Sequence, residues 1–190
     1  MSPNQNLEKQ QMYGFWNEAA CGESLYLKEV DCAGYQAHSE MRYQLEPFIP
    51  TFADFATAKE QKVLEIGIGL GADHQRFAEA GAEFYGIDLT ERAVEHTRRR
   101  LVLFGLSSTL SVGDAENLAF PDETFDQVYS WAVLRHSPKT PLAIEEIYRV
   151  LKSGGTAKVM IYHKWSMIGL MLWLRYALLV GRPWRNLKAA

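Results

Sequence analysis

Glycine stands at three alternate positions, Gly67, Gly69 and Gly71, directly after the short apolar run Val63-Leu64-Glu65-Ile66 and before a helix-length segment. Without a Cβ, glycine takes positive φ and lets backbone lie against a ligand, and the N-terminus of a following helix attracts an anion. A turn that only reverses direction needs one glycine. Three at this spacing predict a loop that cradles a ligand at the end of a strand, which is where ligands dock in an open parallel sheet.

The rest of the chain supplies that sheet. Glu83 to Asp88, Thr109 to Val112, Gln127 to Trp131 and Ala157 to Tyr162 read as four further strands, from their apolar and β-branched runs. Phe77, Ala78 and Ala80 are the candidate buried positions of the helix after the glycines. Thr90 reads as the N-cap of a second, in which Ala93, Val94, Thr97, Leu101 and Phe104 recur at helical spacing. Thr140 and Pro141 read as the start of a third, with the stripe Ile144, Ile147, Tyr148 and Leu151, stopped by Ser153-Gly154-Gly155. Five strands alternating with helices predict an α/β, Rossmann-like open parallel sheet with helices on both faces. Residues 1–61 read as an N-terminal helical cap of two or three helices, 62–162 as the core, and 163–190 as an apolar, basic-flanked C-terminal helix and tail.

Length and composition fit this. A chain of 190 residues, 47% hydrophobic and 23% charged, suits one domain with a substantial core and excludes a disordered or collagenous chain. Cys21 and Cys32 form no CxxC pair, so neither a metal site nor a disulfide framework is expected. Residues 1–20 lack the basic start and apolar run of a signal peptide, and a cytoplasmic location is expected. The net charge of −3 conceals an asymmetry: residues 163–190 carry +5, leaving −8 for residues 1–162. Such an acidic body offers nucleic acid no basic surface.

Two ligand classes compete for the glycine loop. Gly67, Gly69 and Ala72 satisfy the G-x-G-x-x-G/A dinucleotide pattern, with Asp88 about 20 residues on to take ribose hydroxyls. Against a dinucleotide stands Glu65, whose carboxylate would face a pyrophosphate of like charge but would welcome a ligand carrying an ammonium and a sulfonium. The acid favours S-adenosyl-L-methionine (SAM) over NAD.

The run Val63 to Gly71 resembles motif I of the class I SAM-dependent methyltransferases, and Gly86-Ile87-Asp88-Leu89-Thr90 resembles their ribose-binding strand end. Gly113-Asp114-Ala115-Glu116-Asn117-Leu118, with Phe120-Pro121-Asp122 and Phe125-Asp126 behind it, is similar to the adenine loop of the small-molecule branch that includes ubiquinone- and menaquinone-biosynthesis enzymes (methyltransferase type 11). Trp131 to His136 is similar to a loop usually written with two histidines, the first replaced here by Arg135, and Tyr148 to Gly155 completes the pattern. The resemblance implies that Glu65, Gly67, Gly69 and Gly71 border the methionine portion of SAM. It implies that Asp88, with Leu89, binds the ribose, that Asp114 and the Ala115 N–H read the adenine, and that Trp131 lies across the methionine end. His136 is the candidate general base, beside its reading as a structural histidine. His74 would orient the cofactor's carboxylate or cap its helix. Tyr13, Trp16 and Arg42 are candidate lid or substrate residues, beside their reading as cap packing.

The resemblance also implies an antiparallel pair of strands after the fifth, and none is visible in the 28 residues beyond Tyr162. The expectation is a truncated methyltransferase, or a homo-oligomer that covers the fifth-strand edge. Trp165 to Val180 has Arg175 as its only charge and, at about 24 Å as a helix, is too short to span a bilayer. It reads as a buried helix, a lid over an apolar acceptor, or an interfacial helix in peripheral contact with a membrane. The functional expectation is methyl transfer to a small lipophilic or aromatic acceptor. The alternatives are a non-catalytic SAM-binding or assembly protein and, behind it, an NAD-dependent oxidoreductase.

Overall fold

The runs rich in β-branched and aromatic residues assemble into one sheet of five parallel strands: β1 (Lys62–Ile66), β2 (Glu83–Asp88), β3 (Thr109–Val112), β4 (Phe125–Trp131) and β5 (Leu151–Met160). The computed structural model describes residues 3–161 and Met171. The chain separates into two compact units, residues 1–160 and 161–190, and every element named here belongs to the first.

The strand order is β3-β2-β1-β4-β5. The chain builds outward from β1 to β3, then returns to the other side of β1, so the order reverses between β1 and β4. That reversal opens a crevice at the C-terminal ends of the two central strands. Alternation divides their side chains between two cores. Leu64, Ile66, Ile87 and Val128 pack with Ala143, Ile147 and Val150 of α7 (Thr140–Val150) on one face. Val63, Phe84, Tyr129 and Trp131 pack on the other with Phe77 of α5 (Ala72–Glu79) and with Ile49, Ala53 and Phe55. Helix α6 (Glu91–Leu103) starts as its sequence predicts, the Thr90 side chain accepting the Ala93 N–H. This is the α/β sheet, covered by helices on both faces, that the sequence predicts.

Three details differ from the expectation. The N-terminal segment holds four α-helices, α1 (Pro3–Glu18), α2 (Glu23–Tyr26), α3 (Cys32–Leu45) and α4 (Ile49–Ala53), followed by a 3-10 turn at Phe55–Ala58. The extra pieces are four or five residues long, too short to register as a periodicity. Helix α7 begins after an N-cap at Lys139 and buries Ala143, Ile147 and Val150, whereas Ile144 and Tyr148 of the predicted stripe face solvent, Tyr148 at 83% exposure. Strand β5 begins at Leu151, not Ala157: Leu151 pairs with Phe125 and Thr156 with Gln127, and residues 152–155 bulge out between, Gly154 at φ +80°. The glycines predicted to stop the helix make that bulge, and the helix ends before them.

No helix among the described residues is long and apolar enough to cross a membrane. The expectations for Trp165 to Val180 and for the missing strand pair fall outside the described residues, apart from Met171.

Candidate functional site

The glycine loop joins β1 to α5 with Gly67, Gly69 and Gly71 all at positive φ, between +51° and +83°. A Cβ on Gly67 would stand 2.1 Å from Val133 Cγ2, and one on Gly71 would stand 2.8 Å from Thr97 Oγ1. A Cβ on Gly69 would meet nothing within 4 Å. The outer two glycines therefore let the loop pack against the β4 end and α6, and the middle one leaves open space beside the backbone.

Asp88, at the end of β2, holds that middle glycine. Its Oδ2 accepts the Gly69 N–H at 3.2 Å, and its Oδ1 accepts the Thr90 N–H and hydroxyl at 3.1 and 3.0 Å. Burial pushes the Asp88 carboxyl above its ordinary range, against the pull of these bonds. The Leu89 N–H adds a further bond to the same carboxylate. Leu89 follows, half-buried.

After β3, Asp114 Oδ1 accepts the Glu116 N–H at 2.9 Å, which shapes the loop, and Oδ2 takes the Lys9 ammonium at 2.5 Å. Lys9 also pairs with the buried Glu116 at 2.5 Å. Ala115 packs half-buried against the α7-side core. At the tip of β4, Trp131 is only 7% exposed; its indole N–H donates to Glu46 at 3.3 Å, and the rings of Phe48 and Phe52 lie 5.6 and 5.4 Å away. Phe48 is 55% exposed, so an apolar aromatic surface reaches solvent there.

One face of α1 touches the loops after β2, β3 and β4. Lys9 reaches Asp114, the Tyr13 hydroxyl donates to Glu91, the Asn17 carbonyl accepts the Arg92 N–H at 3.3 Å, and Trp16 meets His136 edge to face at 5.4 Å. Spacings of four, three and one residues place all four on a single helical stripe. That stripe was visible in the sequence, yet only its two aromatics were singled out there. His136 accepts the Arg135 Nε–H on Nε2 at 3.1 Å, which puts the proton of the neutral ring on Nδ1. Burial, then Arg135, holds its pKa below the usual histidine value, so it is neutral at pH 7.

Glu65 is placed otherwise than its expected contact with the ligand's ammonium requires. Its carboxyl, with the residue 3% exposed, bonds to His74 Nδ1 at 2.9 Å. The Ser108 hydroxyl donates to the Phe84 carbonyl at 2.7 Å, so His74 Nε2 must donate to Ser108, at 2.8 Å. Burial pushes the Glu65 carboxyl up and the His74 imidazole down. Both directions favour a neutral pair in which Glu65 O–H donates to Nδ1. A neutral Glu65 neither repels a pyrophosphate nor attracts an ammonium. His74 neither caps α5 nor faces the crevice; it is fully buried between Glu65 and Ser108.

Arg42 likewise turns inward. It forks onto Asp73 of α5, Nε to Oδ1 at 3.1 Å and Nη2 to Oδ2 at 2.6 Å, and Asp73 also accepts the hydroxyls of Tyr43 and Tyr129 at 3.0 and 2.9 Å. This cluster ties α3 to the first turn after the glycine loop. Sequence reasoning missed Asp73 and Tyr129, whose partners lie 30 to 56 positions away and leave no local signal. Among the described residues no group of three His, Cys, Asp or Glu is arranged to hold a metal ion.

A family model described as a methyltransferase domain matches residues 64–159. A sterol 24-C-methyltransferase of Neurospora crassa is 35% identical over 118 residues, 60% of this chain and 30% of that protein. A demethylmenaquinone methyltransferase of Symbiobacterium thermophilum is 36% identical over 99 residues, 49% of this chain and 39% of that protein. The chain thus spans well under half the length of these relatives. Among solved structures, the YcgJ protein of Bacillus subtilis aligns with a TM-score of 0.51 at 32% identity, over 54% of this chain and 46% of that one.

Proposed function

Because this chain belongs to the methyltransferase-domain family, we propose that it transfers the methyl group of S-adenosyl-L-methionine to a small lipophilic or aromatic acceptor at the crevice between β1 and β4. The observation that carries this reading is the open space at Gly69 beside a carboxylate, Asp88, that grips the same residue's N–H.

The residues fit the cofactor. Asp88 Oδ2 would accept a ribose hydroxyl, and Asp114 Oδ2 the adenine amine. Lys9 sits on that oxygen and touches Glu116 as well, so it can yield Asp114 while remaining paired. When bound, SAM supplies a methyl group already activated on a sulfonium. The chain's task is then alignment, which can lower a barrier by about 7–11 kcal/mol in favourable cases. Trp131 with Phe48 and Phe52 offers the acceptor an apolar seat at the strand tip. The two relatives are named for a sterol and for demethylmenaquinone, both in keeping with such a seat. If the acceptor must lose a proton, His136 is the group to take it, at Nε2, once Arg135 swings off that nitrogen.

That last bond favours the second reading, a SAM-binding protein without catalysis, since the candidate base is engaged by its neighbour. Calorimetric titration with S-adenosylhomocysteine (SAH), SAM and NAD tests the first part: SAH and SAM bind, and NAD does not. Transfer of radiolabelled methyl from SAM into apolar acceptors tests the second. Binding without transfer to any sterol, quinol or fatty acid would leave the non-catalytic reading standing.

A further inference from the structure

The carbonyls of the glycine loop are held from behind by one helix. Thr97 of α6 donates its hydroxyl to the Gly69 carbonyl at 3.2 Å, and sits where a Gly71 side chain would have to be. One turn on, Arg100 donates through Nη1 to the Leu70 carbonyl at 3.1 Å. Both side chains are fully buried. Arg100 spends its remaining donors on neutral groups: Nε on the Gln75 carbonyl at 2.6 Å, Nη2 on the Tyr35 carbonyl at 3.0 Å and on the Ser39 hydroxyl, and Nη1 on His38 Nδ1 at 3.5 Å. All five donors of the guanidinium are used, and none of these bonds goes to a carboxylate. A buried arginine kept only for stability is ordinarily matched to an acid. This one is matched to backbone and side-chain acceptors on the loop, on α5 and on α3.

We infer that Thr97 and Arg100 are positioning residues for the cofactor: they fix the Gly69 and Leu70 peptides so that the loop keeps its open face toward the ligand, and Arg100 couples that setting to the packing of α3. The inference rests on the reading of the loop as the SAM site. Neither residue touches the crevice; each acts through the backbone it holds, as a supporting shell acts on a binding constellation.

The test compares SAH affinity with thermal stability. Thr97→Val keeps the shape and removes one donor, Thr97→Ser keeps the donor, and Ile147→Val, in the α7-side core, serves as the stability control. Titrations run well below every melting temperature should give Thr97→Val an SAH Kd raised about five- to ten-fold, as for one lost hydrogen bond. Thr97→Ser and Ile147→Val should stay within about two-fold of the parent. Arg100→Lys, which keeps charge but not the fork, should weaken SAH further and raise hydrogen exchange in both the loop and α3. Parent-like SAH affinity in folded Thr97→Val would overturn the inference while leaving the site reading intact. A drop in affinity matched by Ile147→Val would mean that stability alone was lost, and would also overturn it. A parent chain that binds no SAH would overturn both.

Discussion

A methyl group added at Gly69 would meet open space, whereas at Gly67 it would drive into Val133. The two positions share a left-handed backbone and differ in what lies beyond it, so their alanine variants should part company. Gly67→Ala should lose about 2–5 kcal/mol of stability, from left-handed strain plus overpacking. Gly69→Ala should lose only about 1–2 kcal/mol, from the backbone alone, yet bind SAH at least about ten-fold more weakly because the methyl group occupies the ligand's side. Thermal melts and calorimetry on the two variants check this. Asp88→Ala should weaken SAH by about 1–3 kcal/mol, since it removes an acceptor from the ribose and releases the Gly69 N–H at once. The glycines and Asp88 were legible in the sequence because motif and spacing are local. The neutral Glu65–His74 pair was not, because its direction is decided by Ser108, 34 residues beyond His74. The sequence-level preference for SAM over NAD used a charge on Glu65 that its buried pairing removes; the family match and the shape of the loop now carry the cofactor assignment.

Among the elements, α1 is held by polar and aromatic contacts on one stripe rather than by a buried apolar face. Lys9→Met keeps an apolar stem and removes the contacts to Asp114 and Glu116. Glu116 retains the Ser137 hydroxyl and the Lys139 N–H, so the variant should lose only about 1–3 kcal/mol. Hydrogen exchange should accelerate across residues 3–18 and stay slow in β1 and β4. Equal acceleration throughout would mean that α1 is part of the global core. The central strands β1 and β4 were legible because they are buried along most of their length, the largely exposed edge strand β3 by its β-branched residues, and β1 to β3 lie within a residue of their predicted limits. The buried stripe of helix α7 was read half correctly: Ile147 is in the core and Leu151 packs against it, but size drew attention to Ile144 and Tyr148 while close approach to the sheet selects the small Ala143. The β5 bulge was missed because a Ser-Gly-Gly stretch signals a helix stop as readily as a looped-out segment.

For the molecule as a whole, acid should be destabilising from near neutrality downward. His38 is buried, and burial, with Arg100 and then Arg42 beside it, lowers its pKa to about 4, while Asp73 pulls the other way. Between the unfolded value of about 6.5 and 4, the unfolded chain binds a proton that the folded chain refuses, so stability is full above that window and falls as pH drops through it. Glu23, held down to about 2 chiefly by its hydrogen bond to Arg92, adds a loss that begins near its ordinary value and runs downward from there. The Glu65–His74 pair adds little slope between pH 4.5 and 6.5, because the folded pair keeps on Glu65 the one proton that the unfolded chain keeps on the histidine. Melting temperature should therefore decline from pH 6.5 to 4.5, and His38→Gln, which still offers Arg100 an acceptor, should flatten that decline.

The contacts of α1 also carry an order of events. Lys9 waits for Asp114, 105 residues downstream, and Tyr13 for Glu91, 78 residues downstream. At roughly 5–20 residues per second of synthesis, α1 spends on the order of 5–20 s without the groups that fasten it. Its sequence is suited to the delay, since Asn4, Gln5, Asn6, Glu8, Lys9, Gln10 and Gln11 keep that stretch hydrated and give a nascent chain little to aggregate through. Helix α1 is therefore made well before the groups that fasten it, and it closes over the loops after β2 and β3 only once they have been synthesised.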